Sequence, residues 1–233
     1  MPQSILEISD LELSYGSKTI LKKLSMDFYP GKIHGILGVN GAGKTTLFKS
    51  IYGMHSPTNG TIKFWGLNNN PNPIAYLETS PSFYPYMKGR EYLELLSHNN
   101  SSFNLNVWNA LFDLPLDHFV ETYSTGMKKK LALLGILALN RPIMLLDEPY
   151  NGLDLQNTII LDDILEELKN NGKTILLTSH ILEILKRNCD RISLLHNHTV
   201  QSSLKKDQYG ELETYVRSLI GEHSRESFKG LFE

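Results

Sequence analysis

The hydrophobic pattern of the first thirty residues is typical of half-buried strands. Apolar and polar side chains largely alternate over residues 5–13 and again in parts of 19–29, which predicts two strands. A third short run, 61–65, follows a turn at residues 59–60. We expect these three strands to form an antiparallel sheet at the beginning of the fold.

Short apolar runs alternate with helical periodicity in the rest of the chain. Runs of buried-strand length lie at 33–37, 74–77, 143–146 and 174–178. Apolar positions at helical spacing lie at 44–52, 89–97, 131–139 and 155–170. The alternation predicts an α/β fold with a mainly parallel sheet. The runs 192–196 and 199–201 indicate a closing hairpin.

The middle of the chain predicts an inserted helical lobe. Residues 82–139 have a largely helical texture, whereas the Asn- and Pro-rich stretch 68–73 is typical of a surface loop. We therefore expect one domain over residues 1–201, with the helical subdomain inserted in it. Residues 202–233 would form a short tail with a helix near 211–219.

Composition narrows the possible partners. The net charge is −2, with 23 basic and 25 acidic residues, so the chain lacks the broad basic field of a nucleic-acid binder. The single cysteine, Cys189, excludes an internal disulfide and is expected to be buried and inert. No export signal and no apolar run of about 18 residues are present, so we expect a cytoplasmic chain that reaches a membrane only through a partner.

The clearest chemical motif is a glycine-rich loop between a predicted strand and a predicted helix. Residues 38–45 read Gly-Val-Asn-Gly-Ala-Gly-Lys-Thr and match G-x-x-x-x-G-K-[ST], the motif of a P-loop NTPase core, at every fixed position. Glycines let successive N–H groups converge on one anion, and the helix N-terminus adds partial positive charge. Lys44 is expected to bridge the β- and γ-phosphates, and Thr45 to ligate Mg²⁺. The predicted phosphate-binding residues are Gly38, Asn40, Gly41, Ala42, Gly43, Lys44, Thr45 and Thr46.

Two further stretches point to the same chemistry. Asp147 and Glu148 end an apolar strand, the place where α/β folds bind ligands, and buried acids there need a cation. Upstream, Ser124 and Gly126 stand at the start of a predicted helix, which can form a second anion site.

The order of these motifs resembles the ATP-binding cassette family, the nucleotide-binding subunits of ABC transporters, over residues 5 to about 201. The family's signature loop usually reads L-S-G-G-Q. Here Tyr, Thr and Met replace three of its residues at 123–127, which leaves Ser124 and Gly126 for the phosphate contacts.

The resemblance implies roles for individual side chains. Tyr15 would stack on adenine, Asp147 would orient Mg²⁺, Glu148 would polarise the attacking water, and His180 would be the switch histidine near the γ-phosphate. The loop 151–154, ending at Asp154, would cross a dimer interface. Two alternatives without a functional role stay open: Tyr15 as a hairpin aromatic that contacts no ligand, and His180 as a core histidine.

One position departs from the family. A glutamine that contacts Mg²⁺ usually follows the strand at 74–77, but this chain has Glu78-Thr79 there, with Thr79 the better aligned. A hydroxyl is shorter than an amide, so the resemblance implies a metal contact through water and an altered coupling to the membrane partner, with hydrolysis retained.

The function implied by the resemblance is ATP hydrolysis that powers a membrane transporter. Two chains would form a head-to-tail homodimer around two ATP molecules, with separate transmembrane permease subunits at the inner face of the cell membrane. The stretch 89–93 resembles efflux cassettes, which favours an exporter, and the aromatic cluster 83–87 either receives a permease helix or packs inside the lobe.

Two other functions are alternatives to transport. The first is a soluble cassette ATPase acting in DNA repair or on ribosomes, although the long coiled coil of the former and the second cassette of the latter are missing from this sequence. The second is a scaffold that binds nucleotide without hydrolysing it, which the intact Glu148 disfavours.

Overall fold

The computed structural model describes residues 3–67 and 73–216. The predicted loop at 68–73 therefore lies almost entirely outside the described residues. The end of the helix predicted at 211–219 also lies outside them.

The first sheet is antiparallel, as the alternating pattern predicts. Strands β1 (Leu6–Tyr15), β2 (Lys18–Phe28) and β4 (Asn59–Phe64) are arranged in the order β2-β1-β4. Apolar side chains of one face are buried, whereas the alternate positions are polar and partly exposed. Strand β4 includes Asn59 and Gly60, which the sequence placed in a turn.

The second sheet positions the functional site. It contains β3 (Ile33–Leu37), β5 (Ile74–Leu77), β6 (Ile143–Asp147), β7 (Thr174–Ser179), β8 (Arg191–His196) and β9 (Thr199–Lys205), in the order β5-β6-β7-β3-β8-β9. All neighbours are parallel except β8 and β9. The carboxyl ends of β3, β6 and β7 consequently meet at one edge of the sheet.

Six α-helices lie between the strands of the described part of the chain, which also contains the helical segment 209–216. They are α1 (Lys44–Tyr52), α2 (Gly89–Ser97), α3 (Leu105–Asn109), α4 (Thr125–Ala138), α5 (Leu155–Asn170) and α6 (Leu182–Asn188). Helix α6 was not predicted, because seven residues are too short to show a clear periodicity. No helix among the described residues is long and apolar enough to cross a membrane.

The inserted lobe is helical only in part, so the expectation of helical texture through residue 139 was too broad. Residues 110–124 contain turns and one short 3-10 helix, Val120–Thr122. The Asn109 side chain bonds to both the N–H and the C=O of Leu114, and Pro115 follows directly. The Asn109 side chain competes for backbone hydrogen-bonding groups, and Pro115 has no N–H to donate. Helical structure therefore ends in this stretch.

Helices α2 and α4 pack closely and join the lobe to the parallel sheet. A Cβ added at Gly135 of α4 would lie 2.6 Å from Cε1 of Tyr92 and 2.7 Å from Cδ1 of Leu96 on α2. Residues 131–138 of α4 are all buried. One continuous apolar cluster contains Leu93 and Leu134 of the lobe together with Met144 of β6.

The segment after residue 201 also contributes to the core. Strand β9 extends to Lys205, and residues 209–216 are helical, so this helix begins two residues earlier than predicted. Tyr209 and Leu212 are buried, and the Tyr209 hydroxyl donates to the carbonyl of Cys189 at 2.9 Å. Cys189 is itself buried, as expected.

Candidate nucleotide-binding site

The glycine-rich loop connects the end of β3 to the start of α1. Gly41 and Gly43 have φ values of 83° and 104°, in the left-handed region that favours glycine. A Cβ at Gly43 would lie 2.8 Å from Cδ2 of Leu21. The loop therefore needs glycine at position 43 for its conformation and for its packing against β2.

A cavity of about 530 Å³ lies over this loop. Most of the predicted phosphate-binding residues line it: Asn40, Gly41, Ala42, Gly43, Lys44, Thr45 and Thr46. Thr79 and Glu148, predicted from other parts of the sequence, line the same cavity. Four further residues line it: Val39 of the glycine-rich motif, Asn151 of the loop 151–154, and Lys18 and Ile20, which lie outside the stretches predicted to form the site. Residues far apart in the chain thus converge on one concave site.

Lys44 is held by oxygen atoms on two sides. Its Nζ donates to the carbonyl oxygens of Gly38 at 2.6 Å and Val39 at 3.3 Å. The same ammonium forms an ion pair with Oε1 of Glu148 at 3.0 Å, and both side chains are less than a tenth exposed. A buried cation with this set of acceptors is poised to exchange one anionic oxygen for another.

Asp147 is surrounded by three threonine hydroxyls. Its Oδ2 accepts from Thr45 Oγ1 at 2.6 Å and from Thr79 Oγ1 at 2.8 Å, and its Oδ1 accepts from Thr178 Oγ1 at 2.6 Å. Asp147 is completely buried. These bonds satisfy a carboxylate that would otherwise be costly to bury.

Thr178 was missed in the sequence analysis. It is a polar residue inside an apolar strand and precedes His180 by two positions, a signal that could have been noticed. Its partners depend on pairing between strands, because Asp147 and Thr178 are directly opposite in β6 and β7. The Thr178 hydroxyl oxygen also accepts from the Glu148 N–H at 2.9 Å.

Glu148 has an unusual backbone conformation for a residue with a side chain. Its φ is 50°, in a region where non-glycine residues are uncommon and which costs about 1–3 kcal/mol. The conformation places the carboxylate between two basic side chains. Its Oε1 lies 3.0 Å from Lys44 Nζ, and its Oε2 lies 3.0 Å from Nδ1 of His180. Strain of this kind occurs at functional sites.

The oxygen atoms around Asp147 fit a magnesium ion shared with phosphate. Mg²⁺ prefers oxygen ligands and is usually held by one or two carboxylates together with water and substrate phosphates. The hydroxyl groups of Thr45 and Thr79 already donate to the same carboxylate oxygen, Oδ2 of Asp147. Within residues 3–67 and 73–216 there is no cluster of three His, Cys, Asp or Glu residues that could hold a metal alone.

Seven of the predicted site residues do not line this cavity: Tyr15, Gly38, Ser124, Gly126, Asp147, Asp154 and His180. Ser124 caps α4 by accepting from the Met127 N–H at 3.2 Å, and Asp154 caps α5 by accepting from the Asn157 N–H at 2.8 Å. Tyr15 is 50% exposed, and its ring centroid lies 4.5 Å from that of His55. Gly126 faces Gly152, whose carbonyl oxygen would lie 3.8 Å from a Cβ added there.

The loop at 151–154 is tied to helix α4 within the same chain. Nζ of Lys129 donates to the carbonyl oxygen of Asn151 at 2.5 Å. Burial lowers the pKa of Lys129, while the nearby carboxylates of Glu148 and Asp147 act in the opposite direction. Helix α4 begins within the signature loop at 123–127, and its Lys129 links this helix to the loop that follows the two acids. The sequence pattern did not reveal this contact.

The fold and the site together define a P-loop nucleotide-binding protein. A glycine-rich loop after β3, its lysine and threonine, and two acids at the end of β6, two strands away, share one edge of a mostly parallel sheet. The family model described as "ABC transporter" matches residues 21–151, more than half of the chain. The chain belongs to this family and is an ATP-binding subunit of a transporter.

Relatives and solved structures agree with this assignment. The chain is 30% identical to the lantibiotic transport ATP-binding protein SrtF of Streptococcus pyogenes, over 93% of this chain and 97% of SrtF. It is 31% identical to the bacitracin transport ATP-binding protein BcrA of Enterococcus faecalis, over 84% of this chain and 68% of BcrA. The fold matches a dimeric, post-hydrolysis structure of the ATP-binding cassette MJ0796 bound to ADP and Pi, with a TM-score of 0.76, 20% identity, and coverage of 86% and 98%.

Proposed function

We propose that this chain hydrolyses ATP as a head-to-tail homodimer and thereby drives export through separate permease subunits. The observation that carries the proposal is the position of Glu148, whose two carboxylate oxygens contact Lys44 and His180 at the rim of the phosphate-loop cavity. The two relatives are named for bacitracin and lantibiotic transport, which supports export of a bulky compound and does not favour the soluble alternative.

Binding of ATP would change the partners of Lys44. The β- and γ-phosphates compete with the Glu148 carboxylate for the ammonium, and the N–H groups of the loop and the N-terminus of α1 add favourable charge. Once Lys44 contacts phosphate, Glu148 loses its cation and becomes the stronger hydrogen-bond acceptor. Glu148 is then free to orient the attacking water, which is the main chemical task in phosphoryl transfer.

His180 would hold Glu148 in place during this exchange. Its Nδ1 lies 3.0 Å from Oε2 of Glu148, so the carboxylate keeps one partner when Lys44 leaves. Magnesium bound with ATP would neutralise phosphate charge, with Thr45 and Asp147 as its holders and Thr79 close enough to act through the same Asp147 oxygen. Thr79 would thereby connect the metal to the segment that faces the permease.

The second half of each nucleotide site would come from the partner chain. Ser124, Gly126 and Asp154 lie outside the cavity lining of their own chain, and Ser124 and Asp154 are exposed. The cassette MJ0796, which has the same fold, is a dimer in its post-hydrolysis state. Closure of Ser124 and Gly126 over the partner's nucleotide supports the homodimer, and Tyr15 would contact adenine at the outer side.

The contact with a permease would use the exposed aromatics of the lobe. Phe83 packs on Tyr92, with ring centroids 4.9 Å apart, whereas Tyr84 and Tyr86 are 72% and 80% exposed. The cluster thus divides into one ring that packs in the lobe and two that are free to receive a cytoplasmic helix. Through such a partner the chain would sit at the inner face of the cell membrane.

The proposal is tested with Glu148→Gln. The amide keeps the size of the side chain but removes the charge that polarises water, so ATP hydrolysis should fall by about 100-fold or more while ATP still binds. The trapped state should appear as an ATP-dependent dimer in light scattering. Glu167→Gln, on the exposed part of α5, is the matched control. Hydrolysis at the parental rate in Glu148→Gln would remove Glu148 from the proposed role.

A further inference from the structure

We propose that a basic cavity at the amino-terminal edge of the parallel sheet binds a soluble small molecule that carries two or more phosphate groups. The cavity has a volume of about 770 Å³, and its lining includes Tyr29, Lys32, Arg191, Lys205 and Lys206. Strands β3 and β8 start here and end beside the phosphate loop. The cavity is therefore at the other end of the sheet from the ATP site, and its ligand would not compete with ATP.

The charges that line the cavity are not balanced. Lys32, Arg191, Lys205 and Lys206 are cationic, whereas Asp190 and Asp207 are the two carboxylates of the lining. Asp190 is already engaged, because one oxygen accepts from Lys169 at 2.5 Å and the other from the Ile33 N–H at 2.9 Å. Little negative charge remains in the cavity to compensate the four cations.

Strand register brings two of these cations face to face. Arg191 of β8 is directly opposite Lys205 of β9, and like charges in opposed positions destabilise a sheet. Neither residue forms an ion pair with another of the described residues. A bound anion would convert this repulsion into attraction at both positions.

Arg191 also has an unsatisfied donor. Its Nε is buried and has no hydrogen-bond partner in the described part of the chain, and a buried donor in this state usually indicates a missing ion, water or ligand. The guanidinium carbon lies 5.7 Å from the centroid of the Tyr29 ring, close enough for a cation–π contact that restricts its orientation. Arg191 is thus held in position before any ligand arrives.

The lining selects phosphate chemistry. Arginine matches the geometry of phosphate oxygens, and several lysines add charge that a single monovalent anion would not need. His34 contributes no positive charge at neutral pH, because burial lowers its pKa to about 4. The volume is within the usual range for small-molecule sites and exceeds the 530 Å³ of the phosphate-loop cavity. A compound with two or more phosphate groups fits both charge and size.

The test separates this cavity from the ATP site. Sodium tripolyphosphate is titrated by calorimetry into the Lys44→Ala chain, in which the phosphate loop is disabled, and into the parental chain saturated with ADP, both without magnesium because tripolyphosphate chelates it. Thermal unfolding is followed in parallel, with sodium chloride at matched ionic strength. We expect saturable binding in both backgrounds and a rise in Tm beyond the rise in sodium chloride.

Charge-reversal variants locate the binding. Lys205→Glu with Lys206→Glu should weaken tripolyphosphate binding by at least about tenfold, since each lost charge-assisted contact is worth roughly 1.5 kcal/mol or more. Lys22→Glu with Lys63→Glu changes the net charge equally at exposed positions of the antiparallel sheet and should leave binding within about twofold.

Three outcomes would overturn the proposal. The first is an equal rise in Tm with sodium chloride, which would show that salt only screens the Arg191–Lys205 repulsion. The second is an equal loss of binding in the control variant. The third is binding to vesicles containing phosphatidic acid without binding of free tripolyphosphate, which would make the site a membrane contact instead.

Discussion

The Lys44 ammonium group has its hydrogen-bonding needs met within the chain, and this shapes how the site can respond to a ligand. Two carbonyl oxygens of the loop accept from it, and the Glu148 carboxylate is a third partner that a bound anion would replace in the proposed mechanism. The buried pair is favourable only while both members are present, because removal of one leaves an uncompensated charge. In the proposed mechanism a triphosphate would supply the replacement anion and release Glu148 for chemistry.

Replacing Lys44 with Ala should therefore abolish ATP binding. Loss of the charged contact with phosphate is expected to weaken binding by roughly 100-fold or more, measured by calorimetry with ATP and magnesium. Lys22→Ala, an exposed lysine of β2, serves as the control and should bind as the parental chain does. Undiminished affinity in Lys44→Ala would refute the assignment of the phosphate loop.

His34 should make stability depend on pH in a defined window. Burial lowers its pKa from 6.5 to about 4, so the unfolded chain binds more protons than the folded chain between these values. The contribution of His34 to the free energy of unfolding should be fully present above about pH 6.5 and should decrease as the pH falls toward 4. In His34→Gln the loss between pH 6.5 and 4.5 should be smaller by about 2 kcal/mol.

Urea unfolding at several pH values measures this slope. The comparison concerns the change with pH within each variant, so a general loss of stability in His34→Gln does not affect it. His118→Gln replaces an exposed histidine and should retain the parental slope. An unchanged slope in His34→Gln would mean that His34 does not carry the pH dependence.

Helices α2 and α4 approach each other closely because Gly135 of α4 has no side chain. The Tyr92 ring and the Leu96 side chain of α2 occupy the space beside Gly135, although glycine lowers the helix propensity of α4. The contact would matter for the proposed function, because α4 begins within the signature loop at 123–127 and supplies Lys129 to the loop at 151–154. Packing between two helices thus positions a loop that neither helix contains.

Gly135→Ala should destabilise the protein despite the better helix propensity of alanine. The added methyl group would overlap Tyr92 and Leu96, and overpacking of this kind costs about 1–3 kcal/mol. Gly210→Ala, in the helical segment 209–216, meets no atom within 4 Å and should be neutral or slightly stabilising. Urea unfolding of both variants checks the prediction, and equal stability of the two would contradict it.

In the proposed dimer each chain would contribute two incomplete halves of a nucleotide site from different parts of its surface. Lys44 and Glu148 line one cavity, and Asp147 bonds to Thr45 of its lining, whereas Ser124 and Asp154 serve locally as helix caps and lie outside it. A two-fold axis can bring the first half of one copy against the second half of another, since symmetric pairing uses each surface twice. The proposed dimer follows from this division.

Mixing two inactive variants tests the composite site. Lys44→Ala damages one half and Ser124→Arg the other, so each variant alone should show little ATP hydrolysis. In a mixed dimer one site contains both changes and the other contains neither. If the two sites act independently, equal mixing should restore on the order of a quarter of the parental rate, because half of the pairs are mixed.

The controls for this experiment are the two variants at double concentration. Each variant alone should show no gain in specific ATPase activity when its concentration is doubled. In the mixture, a recovery that grows with total protein concentration would agree with dimerisation. Activity that stays at the sum of the two separate variants would contradict a site shared between chains.

Much of the fold could be predicted from local sequence. The alternation in β1 and β2, the apolar run of β3 and the periodicity of α1 and α5 depend on neighbours a few residues apart, so they are visible in the sequence and the structure confirms them. The glycine-rich loop belongs to the same class, because its conformation is a local backbone property. Helix α6 and the turns of residues 110–124 lacked a sufficient local signal.

The amino-acid sequence by itself determined the class of site and its main chemical groups: a phosphate loop, two acids and a distant histidine. Only the tertiary structure decided that Thr178 stands opposite Asp147, that Lys129 reaches Asn151, and that Arg191 faces Lys205 across two strands. These contacts join residues through strand register and helix packing. Register is a property of paired segments rather than of either segment alone, and no single stretch of sequence carries it.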